Sequence, residues 1–249
     1  MNSSTAEAAW SDVGVAAGEV RLWWVALEVA PEMVERLERN LADDERARAA
    51  RFVFARDRRR YVVAHAALRH VLARCLGRPA AELTFAVGAN GKPSLAAAAD
   101  RWLCFNLSHS HEAALIACAR EREVGVDLEW QREDVALEEM AASTFSTAEL
   151  QEWQALPMVG RRAGFFHGWV RKEAYVKALG AGLSHPTGRY TVRLAPEGSA
   201  ALLADELQPE AVTQWSILAL SVPAGYAAAV AVAGPVPAVK LTELKAGDL

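Results

Sequence analysis

Apolar and polar positions along this chain follow two rhythms, and the places where one gives way to the other mark its elements. Val20 to Leu27, VRLWWVAL, is a continuous apolar run rich in Trp and Val, which predicts a buried strand. Pro31 opens a helix expected to reach about Phe54, with Met33, Leu37 and Leu41 at helical spacing and a strongly charged second half. A second helix, about Asp57 to Leu76, turns Val62, Leu68, Val71, Leu72 and Cys75 inward and stops at Gly77 and Pro79. Glu82 to Val87 reads as a strand and Asn90-Gly91 as a turn. The apolar runs Trp102 to Leu107 and Ala113 to Ala119 flank Ser108-His109-Ser110-His111 and are expected to pair as a hairpin. A turn at Arg120 to Glu123 then leads into Val124 to Trp130, VGVDLEW.

The rest of the chain repeats this order. A helix is expected from about Val135. Ser146-Thr147-Ala148-Glu149 has the form of a capping box and opens another through Leu150, Trp153 and Leu156. Pro157 to Gly164 is expected to interrupt, and a third helix follows from Phe165 until Gly180 and Gly182 stop it. Strands are predicted at about Tyr190 to Leu194, Thr213 to Ser221 and Tyr226 to Val232. Trp102 to Ser108 and Trp215 to Ser221 share W-x4-L-S. The predicted fold class is therefore α+β, a pseudo-two-fold duplicated fold of two similar α/β halves, 20–123 and 124–233, with the active site at their seam. Residues 1–19 and the Pro-punctuated 234–249 are expected as tails. The second copy has Val222-Pro223 where the first has His109-Ser110, which marks the Ser108-His109-Ser110 triple as a site feature.

With 249 residues, 52% of them hydrophobic, the chain has ample core. Its net charge of −4 argues against a bulk nucleic-acid binder, so local basic clusters serve something compact. Three cysteines without CxxC spacing, each in an apolar segment, read as reduced core residues of a cytoplasmic protein. No signal-length apolar run or spanning stretch points to a membrane.

Candidate chemistry begins on the third helix of the second half. Phe165, Phe166, Trp169, Val170 and Val176 fall on one side, with Glu173 and Lys177 among them, and Arg171, Tyr175 and Ala178 are expected on the wet face. Charges on a core-facing stripe need partners. In VGVDLEW, alternation sets Asp127 and Glu129 together, opposite Val124, Val126 and Leu128. Taken alone, these two acids read as the solvated face of a half-buried strand. With Glu173 they form a hard-oxygen set suited to Mg2+ beside substrate phosphates. Arg46, Arg48, Arg51, Arg56, Arg58, Arg59 and Arg60 form a solvated helix face or a phosphate grip, and Lys92, between Gly91 and Pro93, can add charge to the same ligand. His109 is a surface-loop histidine or a phosphate contact. No Walker, dinucleotide or G-x-S-x-G motif is present. These residues lead to a Mg2+-dependent site for a phosphate-rich ligand, without naming the ligand.

Three blocks carry a resemblance: GKP followed by FNLSHS at Gly91 to Ser110, VGVDLE at Val124 to Glu129, and FHGWVRKEAYVKALGAGL at Phe166 to Leu183. In this order the chain resembles the 4'-phosphopantetheinyl transferases of the Sfp type, the larger monomeric members of that superfamily, from about Val20 to Val232. The resemblance implies transfer of the phosphopantetheine arm of coenzyme A onto a serine of an acyl, peptidyl or aryl carrier protein, with release of 3',5'-ADP. It implies Mg2+ on Asp127, Glu129 and Glu173, and pyrophosphate contacts from His109 and Lys177 with Lys172 nearby. Lys92, Pro93 and Ser108 would line the adenine and 3'-phosphate end, with Arg48 and Arg60 near that phosphate. Glu45 departs from relatives that are basic there. Glu173 or a metal-bound hydroxide would take the serine proton. Thr144 to Trp153 is the expected carrier-docking surface. The competing readings are a coenzyme A-binding relative without turnover, and a nucleic-acid or partner-binding module built on the Arg-rich helix.

Overall fold

The computed structural model describes residues 14–194 and 202–249. The first half runs β1 (Glu19–Ala26), α1 (Pro31–Glu38), α2 (Asp43–Ala49), α3 (Ala55–Leu76), a short hairpin β2 (Phe85–Val87) and β3 (Pro93–Leu95), and a long hairpin β4 (Leu103–Ser110) and β5 (Ala113–Arg120). The second half runs β6 (Val124–Trp130), α4 (Leu137–Thr144), α5 (Thr147–Ala155), α6 (Met158–Leu179), a ribbon β7 (Tyr190–Val192) and β8 (Leu202–Asp205), α7 (Ala211–Gln214), and a hairpin β9 (Trp215–Ala219) and β10 (Tyr226–Ala233). A last strand, β11 (Ala238–Leu244), follows.

The duplication is visible in the sheets. One is ordered β11-β1-β5-β4 and the other β6-β10-β9, so β1-β5-β4 and β6-β10-β9 correspond, each antiparallel throughout. The main helices correspond too: α3 and α6 each have 22 residues, and each ends on a left-handed glycine, Gly77 at φ 64° and Gly180 at φ 65°. Glycine adopts that conformation without the Cβ penalty other residues carry.

Strand alternation then builds the layers. Leu22 of β1, Leu115 and Ala117 of β5, Val126 and Leu128 of β6, and Val230 of β10 meet in one apolar cluster between the two sheets. The opposite face of the first sheet, with Trp23, Val25, Ile116 and Cys118, packs on α3. Ala227, Ala229 and Ala231 of β10 and Ile217 of β9 pack with α6. The order is helix, sheet, sheet, helix.

At the seam, β4 reaches β6 with side chains rather than backbone. Asn106 Oδ1 accepts the Val126 N–H at 2.9 Å, Ser108 Oγ the Leu128 N–H at 3.3 Å and Ser110 Oγ the Trp130 N–H at 3.1 Å. Every second residue of β4 thus satisfies every second donor along β6, donors that would otherwise be left unpaired at a sheet edge. Ser108 and Ser110 therefore have a structural task as well as a place in the site.

Several elements differ from expectation. The helix expected over Pro31 to Phe54 is two, because the chain leaves helical geometry before Ala42, whose extended backbone starts α2. Pro157 does not open a long interruption; it is the N-cap of α6, which begins at Met158 and includes Gly160 and Gly164. Residues 234–249 are not a tail: β11 pairs in parallel with β1, Leu22 opposite Leu241, and returns the chain to the first half. Residues 1–13 of the expected N-terminal tail lie outside the described residues, whereas Val15 is buried in the first core. The sequence pattern does not predict β8. All three cysteines are free thiols, and no helix among the described residues is long and apolar enough to cross a membrane.

Candidate active site

The site grows out of one close approach. Gly125 of β6 lies so near α6 that a Cβ there would sit 2.2 Å from the Ala174 carbonyl oxygen and 2.3 Å from the Ala178 nitrogen. Contact at Gly125 fixes helix to strand, and alternation puts Asp127 and Glu129 on that same face of β6. Glu173 and Lys177 immediately precede the two helix residues touched. Asp127 Oδ1 accepts from Lys177 Nζ at 2.6 Å and from Ser108 Oγ at 2.9 Å, and Lys177 also donates to Ser108 Oγ at 3.0 Å. Ser110 Oγ donates to Glu129 Oε2 at 2.7 Å.

The expected core residues Phe165, Phe166, Val170 and Val176 of α6 are buried, but the face expected to be wet is covered as well. Arg171, Tyr175 and Ala178, read as the wet face, are all buried. Tyr175 donates to Asp205 Oδ2 at 2.8 Å, and Arg171 donates to the Arg193 carbonyl, so the segment around β7 and β8 covers this side. The stripe left partly open is Trp169, Glu173 and Lys177, one residue per turn, facing the seam.

Charge is unbalanced among the carboxylates. Burial pushes Glu173 above the ordinary carboxylate value, the negative charges of Asp127 and Glu129 add to this, and Lys177 only partly opposes it. Glu129 is raised by burial and by Asp127, with Ser110 and Lys177 pulling it down. The Oδ2 atom of Asp127 is buried without a hydrogen-bond partner. Among the described residues no group of three or more His, Cys, Asp or Glu side chains is assembled in metal-holding geometry, since Lys177 draws Asp127 and Ser110 holds Glu129. The donor set nevertheless fits a hard dication in kind: three carboxylates, one orphaned oxygen and an excess of negative charge.

Of the cavities along the seam, two share Gly91, Pro93, Asn106, Leu107 and Lys177. One, of about 550 Å3, also reaches Asn90, Lys92, Glu173 and His185. The other, of about 650 Å3, reaches Arg48, Tyr61, His65, Ser108 and His109. Arg48 stands over the Tyr61 ring at 5.4 Å, and Tyr61 stacks on His65 with centroids 4.0 Å apart. Burial keeps His109 below the ordinary imidazole value, and the positive charges of His65, Lys177, Arg60 and Arg48 reinforce this, so it is a neutral donor in this recess. Tyr61 and His65 were not singled out from sequence, although their i, i+4 spacing puts them on one face of α3.

Other expected site residues are engaged elsewhere. Lys172 is fully buried and donates to both Glu149 oxygens, at 2.8 and 2.6 Å, and to the Tyr190 carbonyl at 2.6 Å. It therefore stands away from Lys177 and is not placed to reach a pyrophosphate. Arg60 gives Nε and Nη2 to Glu112 Oε1, at 3.1 and 2.6 Å, and pairs with Asp57. Arg58 pairs with Glu38 and Arg59 with Glu112, so much of the Arg-rich segment is internally neutralised, against its use as a nucleic-acid surface. Lys92 donates to Glu123 Oε2 at 2.5 Å and to the Ala178 carbonyl at 2.7 Å. Glu45 accepts from the Ala42 N–H and Arg69 and pairs with His65, a structural knot rather than a ligand contact. Burial pushes Glu45 up, but these hydrogen bonds outweigh it and leave it below the ordinary value.

Comparison with known proteins decides the family. Residues 29–121 match the family model described as 4'-phosphopantetheinyl transferase, N-terminal, and residues 123–231 match that of the 4'-phosphopantetheinyl transferase superfamily. The 4'-phosphopantetheinyl transferase HetI of Nostoc sp. is 36% identical over 217 residues, 87% of this chain and 88% of the relative. The chain belongs to the 4'-phosphopantetheinyl transferase superfamily. The transferase psf-1 of Bacillus pumilus is 32% identical over 76% of this chain and 79% of its own length, and Sfp of Bacillus subtilis is 28% identical over 83% and 88%.

The two family matches meet where β6 of this transferase begins, and the site residues come from both sides of that boundary. In the expected docking segment of the transferase, Thr144, Phe145, Ser146, Glu149 and Trp153 are buried, because Ser146 and Glu149 cap α5 and Glu149 holds Lys172. The exposed apolar residues nearby are instead Met158 and Val159.

Proposed function

We propose that this transferase moves the 4'-phosphopantetheine moiety of coenzyme A onto a serine hydroxyl of an apo acyl, peptidyl or aryl carrier protein, releasing 3',5'-ADP, as a Mg2+-dependent monomer in the cytoplasm. The observation that carries the reading is the pairing of unlike surroundings on either side of Lys177: three carboxylates short of positive charge, and a recess where Arg48 and the donor His109 stand with Lys177, while Asp44 and the Arg69-paired Glu45 line another part of its wall. A dication and a polyphosphate together neutralise both. The names of the relatives, each a 4'-phosphopantetheinyl transferase, agree with it.

Asp127, Glu129 and Glu173 would hold Mg2+, which when bound supplies positive charge against the pyrophosphate. Lys177 has three hydrogens, two of them engaged by Asp127 and Ser108, and directs the third to a phosphate oxygen. His109, kept neutral, donates a hydrogen bond without adding charge, and Arg48 and Pro93 line the remoter end of the same recess. The serine oxygen bonds to the phosphorus that carries the pantetheine arm. The pyrophosphate P–O bond breaks and its electron pair leaves on 3',5'-ADP. Glu173, which lines the cleft beside Lys177, accepts the serine proton.

Incubation with coenzyme A, Mg2+ and a panel of apo carrier proteins, followed by intact-mass spectrometry, is expected to show one phosphopantetheine mass added to at least one carrier. No mass gain on any carrier type, with coenzyme A still bound, would favour the binding-only reading.

A further inference from the structure

The last turn of a helix leaves carbonyls without intrahelical donors. In α6 the inner ones are met locally: Gly180 N–H donates to Lys177 O and Ala181 N–H to Val176 O. Two further ones, those of Ala178 and Gly180, are met from the other half of the protein. Lys92 Nζ donates to Ala178 O at 2.7 Å, and Asn90 Nδ2 donates to Gly180 O at 3.0 Å. Lys92 also pairs with Glu123, at the junction of the halves. Packing follows the hydrogen bonds: a Cβ on Gly180 would meet Lys92 Cδ at 3.1 Å, and one on Gly182 would meet Asn90 Cβ at 3.5 Å.

We infer that Asn90 and Lys92, on the turn joining β2 and β3, form a clasp that caps the C-terminus of α6 across the seam and so positions Lys177 in the cleft. Besides the apolar cluster between the sheets, the contacts that join the halves include the side-chain ladder from β4 to β6 and this clasp, with the cavity that Asn90, Lys92, Glu173 and Lys177 all line beside it. Lys177 lies one residue before the capped Ala178, so the clasp determines how far its ammonium stands from the first half. An ammonium at a helix C-terminus also interacts favourably with the helix dipole. Lys92 is thus a positioning residue, committed to protein acceptors, rather than a phosphate ligand alone. The inference rests on the proposed coenzyme A reading for its kinetic consequence, but not for its structural one.

Two measurements on full-length Asn90→Ala, Lys92→Met, Lys92→Arg and the Asn90→Ala/Lys92→Met double variant separate these. In the ligand-free protein, hydrogen exchange at the Gly180 and Ala181 amides is expected to accelerate about three- to tenfold in Asn90→Ala and Lys92→Met and to return toward wild type in Lys92→Arg, whose guanidinium also donates to Ala178 O and Glu123. The KM for coenzyme A is expected to rise by a similar factor in both single variants, with kcat falling less, and the double variant to be little worse than either single one because the two act as a unit. Unchanged exchange in Asn90→Ala overturns the clasp. So does a raised KM confined to Lys92→Met, which would make Lys92 a ligand contact only. If no carrier is modified by the wild type, the transfer reading fails while the exchange measurement still judges the clasp.

Discussion

Lys172 and Lys177 lie five residues apart on one helix and have opposite fates. Lys172 has three acceptors within 2.8 Å and no exposure, and burial pushes its affinity for protons down while the Glu149 carboxylate pulls it back up. Lys177 keeps 31% of its side chain exposed toward the cleft. Removing one partner of a buried pair costs about 3–5 kcal/mol, because the other charge is left alone. Lys172→Met is therefore expected to lower the unfolding free energy by that order, seen as a fall in the urea midpoint, and adding Glu149→Gln to recover part of it, with little change in the KM for coenzyme A. Lys177→Met should weaken turnover and cost less stability than Lys172→Met, since Lys177 is partly solvated, although it leaves the buried Asp127 carboxylate without its cation. Urea denaturation and steady-state kinetics on the same preparations check this, and a large KM effect in a stably folded Lys172→Met would return Lys172 to the site. The difference was partly legible in the sequence, since five residues at about 100° each put the two lysines about 140° apart on a helix. The motif resemblance reads both as basic and near, whereas the angle separates them.

At the scale of elements, the sequence pattern points to β6 and α6 as bearers of the candidate site, and the alternation that unites Asp127 and Glu129 holds in the structure. What no local pattern contained is which side of α6 would be covered. Arg171 and Tyr175 look like surface residues until a strand pair later in the chain and the helices before α6 close over them, and β8 begins beyond 195–201, outside the described residues. The glycine within β6 was a readable signal, because a strand glycine often marks a close backbone approach. Gly125→Ala must push α6 away, as the atoms it meets are backbone and cannot rotate aside. A destabilisation of about 1–3 kcal/mol is expected, together with a loss of turnover larger than that loss of stability explains, because Glu173 and Lys177 move with the helix. Thermal unfolding and kcat/KM measured below the unfolding range separate the two effects. An active, fully stable Gly125→Ala would show that the helix-to-strand distance does not set the site.

Over the whole molecule, the duplicated order of elements was legible because each half repeats the same rhythm, while β11 was not, since two prolines precede it and most of its residues are exposed. The site is likewise a property of both halves together, and this has a thermodynamic consequence. Burial and the neighbouring carboxylates raise Glu129 and Glu173 above their ordinary 4.5, so the folded protein holds these protons more tightly than the unfolded chain does. Stability from such groups is full below the unfolded value and is lost as pH rises through the raised folded values. Glu45 and Glu112 are shifted the other way, Glu112 because Arg60 and Arg59 outweigh its burial, and their contribution is lost only as pH falls below 4.5. Across about pH 5 to 8 the buried His70, His109 and His167, held below the ordinary imidazole value, add stability as pH rises, so the carboxylate contribution is read as the difference between wild type and Glu173→Gln. In metal-free buffer the unfolding temperature is expected to carry a component that declines across this window, and saturating Mg2+ to raise the temperature by several degrees at neutral pH, since an ion bound only by the folded state stabilises it by mass action. Glu173→Gln removes one like charge while keeping the shape, so it should unfold at a higher temperature than wild type without metal and respond less to Mg2+. Differential scanning calorimetry with and without chelator reads both. An unshifted wild type, or a Glu173→Gln response equal to the wild type's, would remove these carboxylates as the holders of the metal whatever the assay of transfer showed.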